Sequence, residues 1–112
     1  MATSVGLMLV ELIYCDDCPH AELADSRLRQ ALHRTRLSDI QIAYDRVPDY
    51  QRAQAIRFQG SPTIRINGRD PFASGDQPPS LSCRLYETPE GTQGSPTVDQ
   101  LIAVLTNAAS EA

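Results

Sequence analysis

Cys15 and Cys18 stand in the stretch Tyr14-Cys15-Asp16-Asp17-Cys18-Pro19-His20, after an apolar run and before a helix-like one. Two thiols at this spacing can close a disulfide and exchange it with another, the first chemistry to expect of a Cys-x-x-Cys in a βαβ pattern. The same stretch admits a second chemistry, because Cys15, Cys18, His20, Asp16 and Asp17 are all potential metal ligands. A third cysteine, Cys83, lies in Leu81-Ser82-Cys83-Arg84-Leu85-Tyr86. A lone cysteine in such a setting is most often a small buried hydrophobe.

The elements that position these thiols follow from periodicity. Residues 7–14 form a nearly continuous apolar run, the pattern of a strand buried on both faces. Over residues 19–36, Ala21, Ala24, Leu28, Ala31 and Leu32 make a helical stripe, with Glu22, Asp25, Arg29, Gln30 and Arg36 on the wet face. Ile40, Ile42 and Tyr44 alternate with polar or small residues as a second strand. Pro48 opens a helix over residues 49–59 that stops at Gly60. Ile64-Arg65-Ile66 reads as a third strand, and Asn67-Gly68 is a hairpin signal that predicts a partner strand over 69–73, at an edge because of Pro71. Residues 76–82 read as a loop, 83–87 as a short segment of no assigned type and 88–94 as turn-rich. Ser95 is placed as an N-cap with Pro96 at the first helical position of a last helix carrying Val98, Leu101, Ile102 and Leu105. Gly-Ser-Pro-Thr occurs at 60–63 and again at 94–97, but the flanks differ and no repeat is present. The predicted order is β-α-β-α-β-β-α.

At 112 residues the chain is expected to form a single domain, residues 1–112, with one core. A formal net charge of -4 argues against non-specific attraction to nucleic acid or to an anionic membrane. Met1 to Leu12 contains no Lys or Arg, and Glu11 interrupts the apolar run from Val5 to Tyr14, which is neither a leader nor a membrane span, so a cytoplasmic location is expected. Thiols are kept reduced there, and the cysteines are read as chemical rather than structural.

With Ser61-Pro62-Thr63-Ile64-Arg65-Ile66-Asn67-Gly68 set beside the cysteine stretch, the chain resembles the thioredoxin superfamily over nearly all of its length. That family carries a cysteine motif at the end of its first strand and a cis proline before its third, and the proline, strand and Asn-Gly turn here resemble the glutaredoxin pattern. The chain is also similar to small bacterial thioredoxin-family proteins, some labelled as related to alkylmercury lyases, which share Gly-Ser-Pro-Thr and a Cys-Arg-x-Tyr, here Cys83 to Tyr86, and this resemblance implies that Cys83 is an auxiliary third thiol near the site. The resemblance implies an α/β, thioredoxin-like fold with a four-stranded mixed sheet flanked by three helices. It implies a thiol/disulfide oxidoreductase that needs no cofactor, in which a cis Pro62 and Ser61 position the substrate by offering backbone N–H and C=O to an extended chain. Its partners would be a protein or low-molecular-weight disulfide and an electron donor that the sequence does not identify, with neither nucleic acid nor membrane. The alternative is a soft-metal or mercurial-binding protein using Cys15, Cys18 and Cys83.

Pro19 assigns the roles within the pair. With Cys15 as N-cap, Pro19 falls at the fourth helical position and removes the first intrahelical hydrogen bond; with Cys18 as N-cap it falls at the first, where proline is favoured. The glutaredoxin register agrees, so Cys18 is expected to attack and Cys15 to resolve. An N-cap Cys18 faces the helix dipole, which favours its thiolate, while Asp16 and Asp17 oppose it. His20 and His33 are read as solvent-facing, and Arg84 as either a surface charge or a group for a thiolate or acidic substrate. Residues 69–82 are read as either a flap or a surface loop.

Overall fold

In the computed structural model, which describes residues 8–73 and 77–110, the first strand is buried on both faces, as its unbroken apolar composition requires. This strand, β1 (Val10–Cys15), turns Val10 and Leu12 toward one side of the sheet and Ile13 toward the other. It is followed by α1 (Ala21–Arg34), β2 (Ile42–Val47) and α2 (Tyr50–Ile56), then by β3 (Gln59–Ser61), β4 (Thr63–Ile66) and β5 (Ser80–Cys83), and last by β6 (Tyr86–Thr88), β7 (Gly91–Gln93) and α3 (Val98–Ser110). The main sheet has the order β2-β1-β4, with β1 parallel to β2 and antiparallel to β4. The fold is thus α/β with three helices and a mixed sheet.

Two apolar clusters hold it together. On one face, Val10, Leu12, Ile64 and Ile66 of the sheet pack against Ala24, Leu28, Ala31 and Leu32 of α1 and against Leu101 and Leu105 of α3. On the other, Ile13 and Val47 meet Ala53 of α2 and the fully buried Phe58, with Cys15 packed at their margin. Burying each large aliphatic or aromatic side chain contributes about 1.5–3 kcal/mol before entropy is counted. Cys15 is therefore anchored by the second cluster at the end of a strand that both clusters clamp.

The predicted four-stranded sheet is corrected to three strands. The Asn67-Gly68 turn forms, with φ of 54° and 81° at its two residues, as the mirror-image hairpin turn demands. Beyond it only a single bridge, Ile66 to Arg69, is made. Asp70 accepts a hydrogen bond from the Phe72 N–H at 2.9 Å, and Pro71 has no N–H to give a ladder, so the chain turns away instead of running on as a strand. Two pairings absent from the predicted order take up the later chain: β3 with β5, parallel, and β6 with β7, an antiparallel hairpin. The part of the expected 76–82 loop from Ser80 onward is β5; Asp76 lies outside the described residues.

Two helix boundaries also move. The second helix ends at Ile56, because Arg57 adopts a left-handed conformation (φ 58°) and Phe58 then enters the core, leaving Gly60 within β3. The last helix is capped by Thr97 and not by Ser95. Thr97 Oγ1 accepts from the Gln100 N–H at 3.1 Å and Gln100 Oε1 accepts from the Thr97 N–H at 2.9 Å, a reciprocal capping box.

Candidate functional site

At the C-terminal end of β1, two strands that the periodicity does not show place Cys15 and Cys83 on either side of Ser61. The β1–β4 register pairs Ile13 with Thr63, and two residues further along it brings Cys15 beside Ser61, whose Oγ accepts from the Cys15 N–H at 3.1 Å. On the far side of Ser61 the β3–β5 register places Cys83. The Cys15 Sγ donates to the Leu81 carbonyl of β5 at 3.3 Å. Cys15 and Cys18 are half-buried and Cys83 is exposed, all three as free thiols.

Burial pushes the Cys15 thiol above its ordinary range. A hydrogen bond with Ser61 draws it back down in part, and negative charge on Cys18 and on Cys83 pushes it up again. The three thiols thus form an electrostatically connected group. Among the described residues, however, no three Cys, His, Asp or Glu side chains are gathered so as to hold a metal ion.

Cys18 does not cap α1. The N-cap is His20, without a side-chain cap, and the first intrahelical bond runs from the Ala24 N–H to the His20 carbonyl at 3.0 Å. Cys18 instead opens a turn that leads into the helix, its carbonyl accepting from the Ala21 N–H at 3.4 Å. Pro19 takes the second position of that turn, where its fixed φ is as well suited as at the start of a helix. The preceding bend is made by Asp17 in the left-handed region, φ 60°, a conformation that Asp tolerates better than most residues.

Asp16 and Asp17 are set differently: Asp17 makes the bend and Asp16 is paired. Asp16 binds Arg46 of β2 through two hydrogen bonds, 2.7 and 2.6 Å, and this contact holds its carboxyl below the usual carboxylate range. His20 is half-buried, correcting the solvent-facing expectation: its ring lies over Gly94 so closely that a Cβ there would come within 2.2 Å of it. Arg84 is neither a surface charge nor a ligand for a thiolate. It pairs with Asp70, with side chains 10% and 13% exposed, and its Nη1 donates to Thr63 Oγ1 at 3.3 Å.

Sequence reasoning missed Tyr86 and the role of β5. The Tyr86 hydroxyl, buried, donates to the Pro62 carbonyl. Its ring carries the Arg84 guanidinium at 4.6 Å on its face and Phe72 edge-on at 5.6 Å. Burial drives its pKa far up; Arg84 opposes this, and the charges of Asp70 and Cys18 add to it. Tyr86 therefore stays a neutral donor and fixes the Ser61-Pro62 segment, whose peptide bond is cis. Phe72, within the segment read as flap or loop, packs against the larger cluster and pins that end of the segment. The signal available in the sequence is the Arg84-Leu85-Tyr86 spacing with Asp70 and Phe72 upstream.

Comparison with protein-family models, curated proteins and solved structures finds no match to this chain. Among the described residues no helix is long and apolar enough to cross a membrane.

Proposed function

We propose that the chain is a thioredoxin-like thiol/disulfide oxidoreductase in which Cys18 attacks and Cys15 resolves. The observation that carries this reading is the unequal setting of the two thiols. Cys15 is embedded against Ser61, Leu81 and the Phe58 cluster, its pKa raised by burial and by charge on its neighbours. Cys18 sits on the turn above it, outside both apolar clusters. A thiol that burial holds in its protonated form is suited to the second step of exchange and not to the first. The layout of parallel β1 and β2, antiparallel β4 and helices on both faces of the sheet supports the same family reading.

In the first step the Cys18 thiolate attacks one sulfur of a disulfide R–S–S–R′. A Cys18–S–R bond forms, the S–S bond of the substrate breaks, and R′S⁻ leaves and takes up a proton. In the second step Cys15 loses its proton to solvent and attacks the Cys18 sulfur. The Cys15–Cys18 disulfide forms and RS⁻ departs, so two electrons have passed from the pair to the substrate. A thiol reductant then restores the pair.

Incubation with a glutathione mixed disulfide, followed by mass mapping, tests this order. Cys18→Ser is expected to abolish reduction. Cys15→Ser is expected to accumulate the Cys18 mixed disulfide at one equivalent. A mixed disulfide that accumulates on Cys15 in Cys18→Ser, with none on Cys18 in Cys15→Ser, reverses the roles.

A further inference from the structure

The backbone edge at Ser61, where an extended peptide would add as a strand, is already taken by the chain itself. The Arg84 N–H donates to the Ser61 carbonyl at 2.9 Å, and Ser61 lies in register with Cys83 of β5. The occupation is built in at several points. Gly60 has φ of +118°, and a Cβ on it would meet the Arg84 Cβ at 3.0 Å and the Ser82 carbonyl at 3.1 Å, so the absence of a side chain lets β5 lie this close. The Arg84 side chain is held by Asp70 and Thr63 and packs on Tyr86, which itself grips the Pro62 carbonyl. At the other end of the strand the Ser80 N–H donates to the Phe58 carbonyl at 2.8 Å, and the Leu81 carbonyl accepts from Cys15.

From this we infer that the site acts on low-molecular-weight disulfides and not on extended polypeptides, an inference that rests on the oxidoreductase reading above. Strand addition draws its affinity from main-chain hydrogen bonds, and at Ser61 the carbonyl that would accept one is filled by β5. A small disulfide needs only to reach the Cys18 sulfur and asks nothing of that edge. β5 is an internal occupant of the docking edge, and it carries Cys83 in register with Ser61.

Two measurements on the reduced full chain test this. Amide hydrogen exchange reads the edge directly: the Arg84 N–H is expected to be protected, and exchange at the rate of a free amide overturns the inference whatever the activity. With dithiothreitol as reductant, the wild type is expected to reduce hydroxyethyl disulfide and to leave insulin at the uncatalysed rate. Arg84→Pro, which removes the N–H, is expected to raise insulin reduction about tenfold while hydroxyethyl disulfide reduction stays within about twofold, the scale of losing one hydrogen bond and its flanking contacts. Insulin reduction by a wild type whose Arg84 amide is protected overturns the inference and leaves the oxidoreductase reading intact. Failure to reduce either disulfide overturns the oxidoreductase reading, and the substrate inference with it. Because Arg84→Pro also breaks the Asp70 pair, the wild-type measurements decide the matter if that variant does not fold.

Discussion

Gly60-Ser61-Pro62-Thr63 and Gly94-Ser95-Pro96-Thr97 are the same four residues in the same order, and they do different work on either side of the cysteine turn. In the first copy the Ser61–Pro62 bond is cis, Ser61 Oγ holds the Cys15 N–H, and Thr63 Oγ1 donates back to the Gly60 carbonyl at 2.6 Å. In the second the Ser-Pro bond is not cis, Ser95 Oγ turns to the Pro96 carbonyl at 2.8 Å, and Thr97 caps a helix. Ile64-Arg65-Ile66 alternates and continues the first copy as a strand; Val98-Asp99-Gln100-Leu101-Ile102 has helical spacing and a capping glutamine. Identical residues thus take their roles from the segment on their C-terminal side. Both copies then bear on the cysteine stretch, the first on Cys15 and the second on His20.

The glycines separate the two copies most sharply. At Gly60 an alanine meets both a left-handed backbone and the body of β5, so Gly60→Ala is expected to cost about 2–4 kcal/mol in urea unfolding. At Gly94 the obstacle is the His20 ring, with Cγ, Nδ1 and Cδ2 all within 2.5 Å of where an alanine methyl would stand. A ring can swing away where a backbone cannot, and Gly94→Ala is expected to cost about 1–2 kcal/mol. The double variant His20→Ala/Gly94→Ala is expected to recover most of that loss. A cost at Gly94 that persists without the ring, or one equal to that at Gly60, breaks the distinction.

The threonines give a smaller effect. Thr97→Ala removes the cap and is expected to cost about 1 kcal/mol, largely restored in Thr97→Ser. Ser95→Ala is expected to cost less, because Ser95 satisfies only its neighbour's carbonyl. If Ser95→Ala proves the more damaging, the helix begins where the Ser-Pro pair alone would place it.

That misplaced cap shows which features the sequence can carry. Long apolar patterns make β1, α1, β2 and β4 legible to within a few residues, and Asn67-Gly68 announces its turn. The Ser-Pro pair points to the wrong N-cap, although Thr97 and Gln100 spell the stronger signal. The expected strand at 69–73 fails for a physical reason visible in its own residues: Asp70 and Pro71 make a turn more readily than a ladder. By contrast β5 leaves almost no trace, since Ser80-Leu81-Ser82-Cys83 is mostly exposed and buries no alternating face. Its existence depends on the gap at Gly60 and on the Arg84–Asp70 pair, both set by distant parts of the chain. The two cysteines of the turn are therefore legible from sequence, whereas the strand that shields one of them is not.

The subtlest difference between the copies concerns the thiol itself. Ser61 reaches Cys15 and Ser95 does not, so only Ser61 bears on the Cys15 proton. The folded pKa of Cys15 lies above its unfolded value. The stability this contributes is complete below the ordinary thiol range and is lost as pH rises through the raised value. Ser61→Ala removes the side-chain hydroxyl that lowers that value, and so is expected to move the loss, and the onset of Cys15 alkylation, to higher pH. Cys83→Ser takes away a neighbouring negative charge and is expected to move both to lower pH, by less than the Ser61 change, since Ser61 weighs more on Cys15 than Cys83 does. Ser95→Ala is expected to leave both where they are. Mass-resolved alkylation rates against pH, read at Cys15 alone, check all three. A shift in Ser95→Ala as large as that in Ser61→Ala means that the two copies act on the thiol together, through the turn that carries Cys18 and His20, and not through the Ser61 hydroxyl alone.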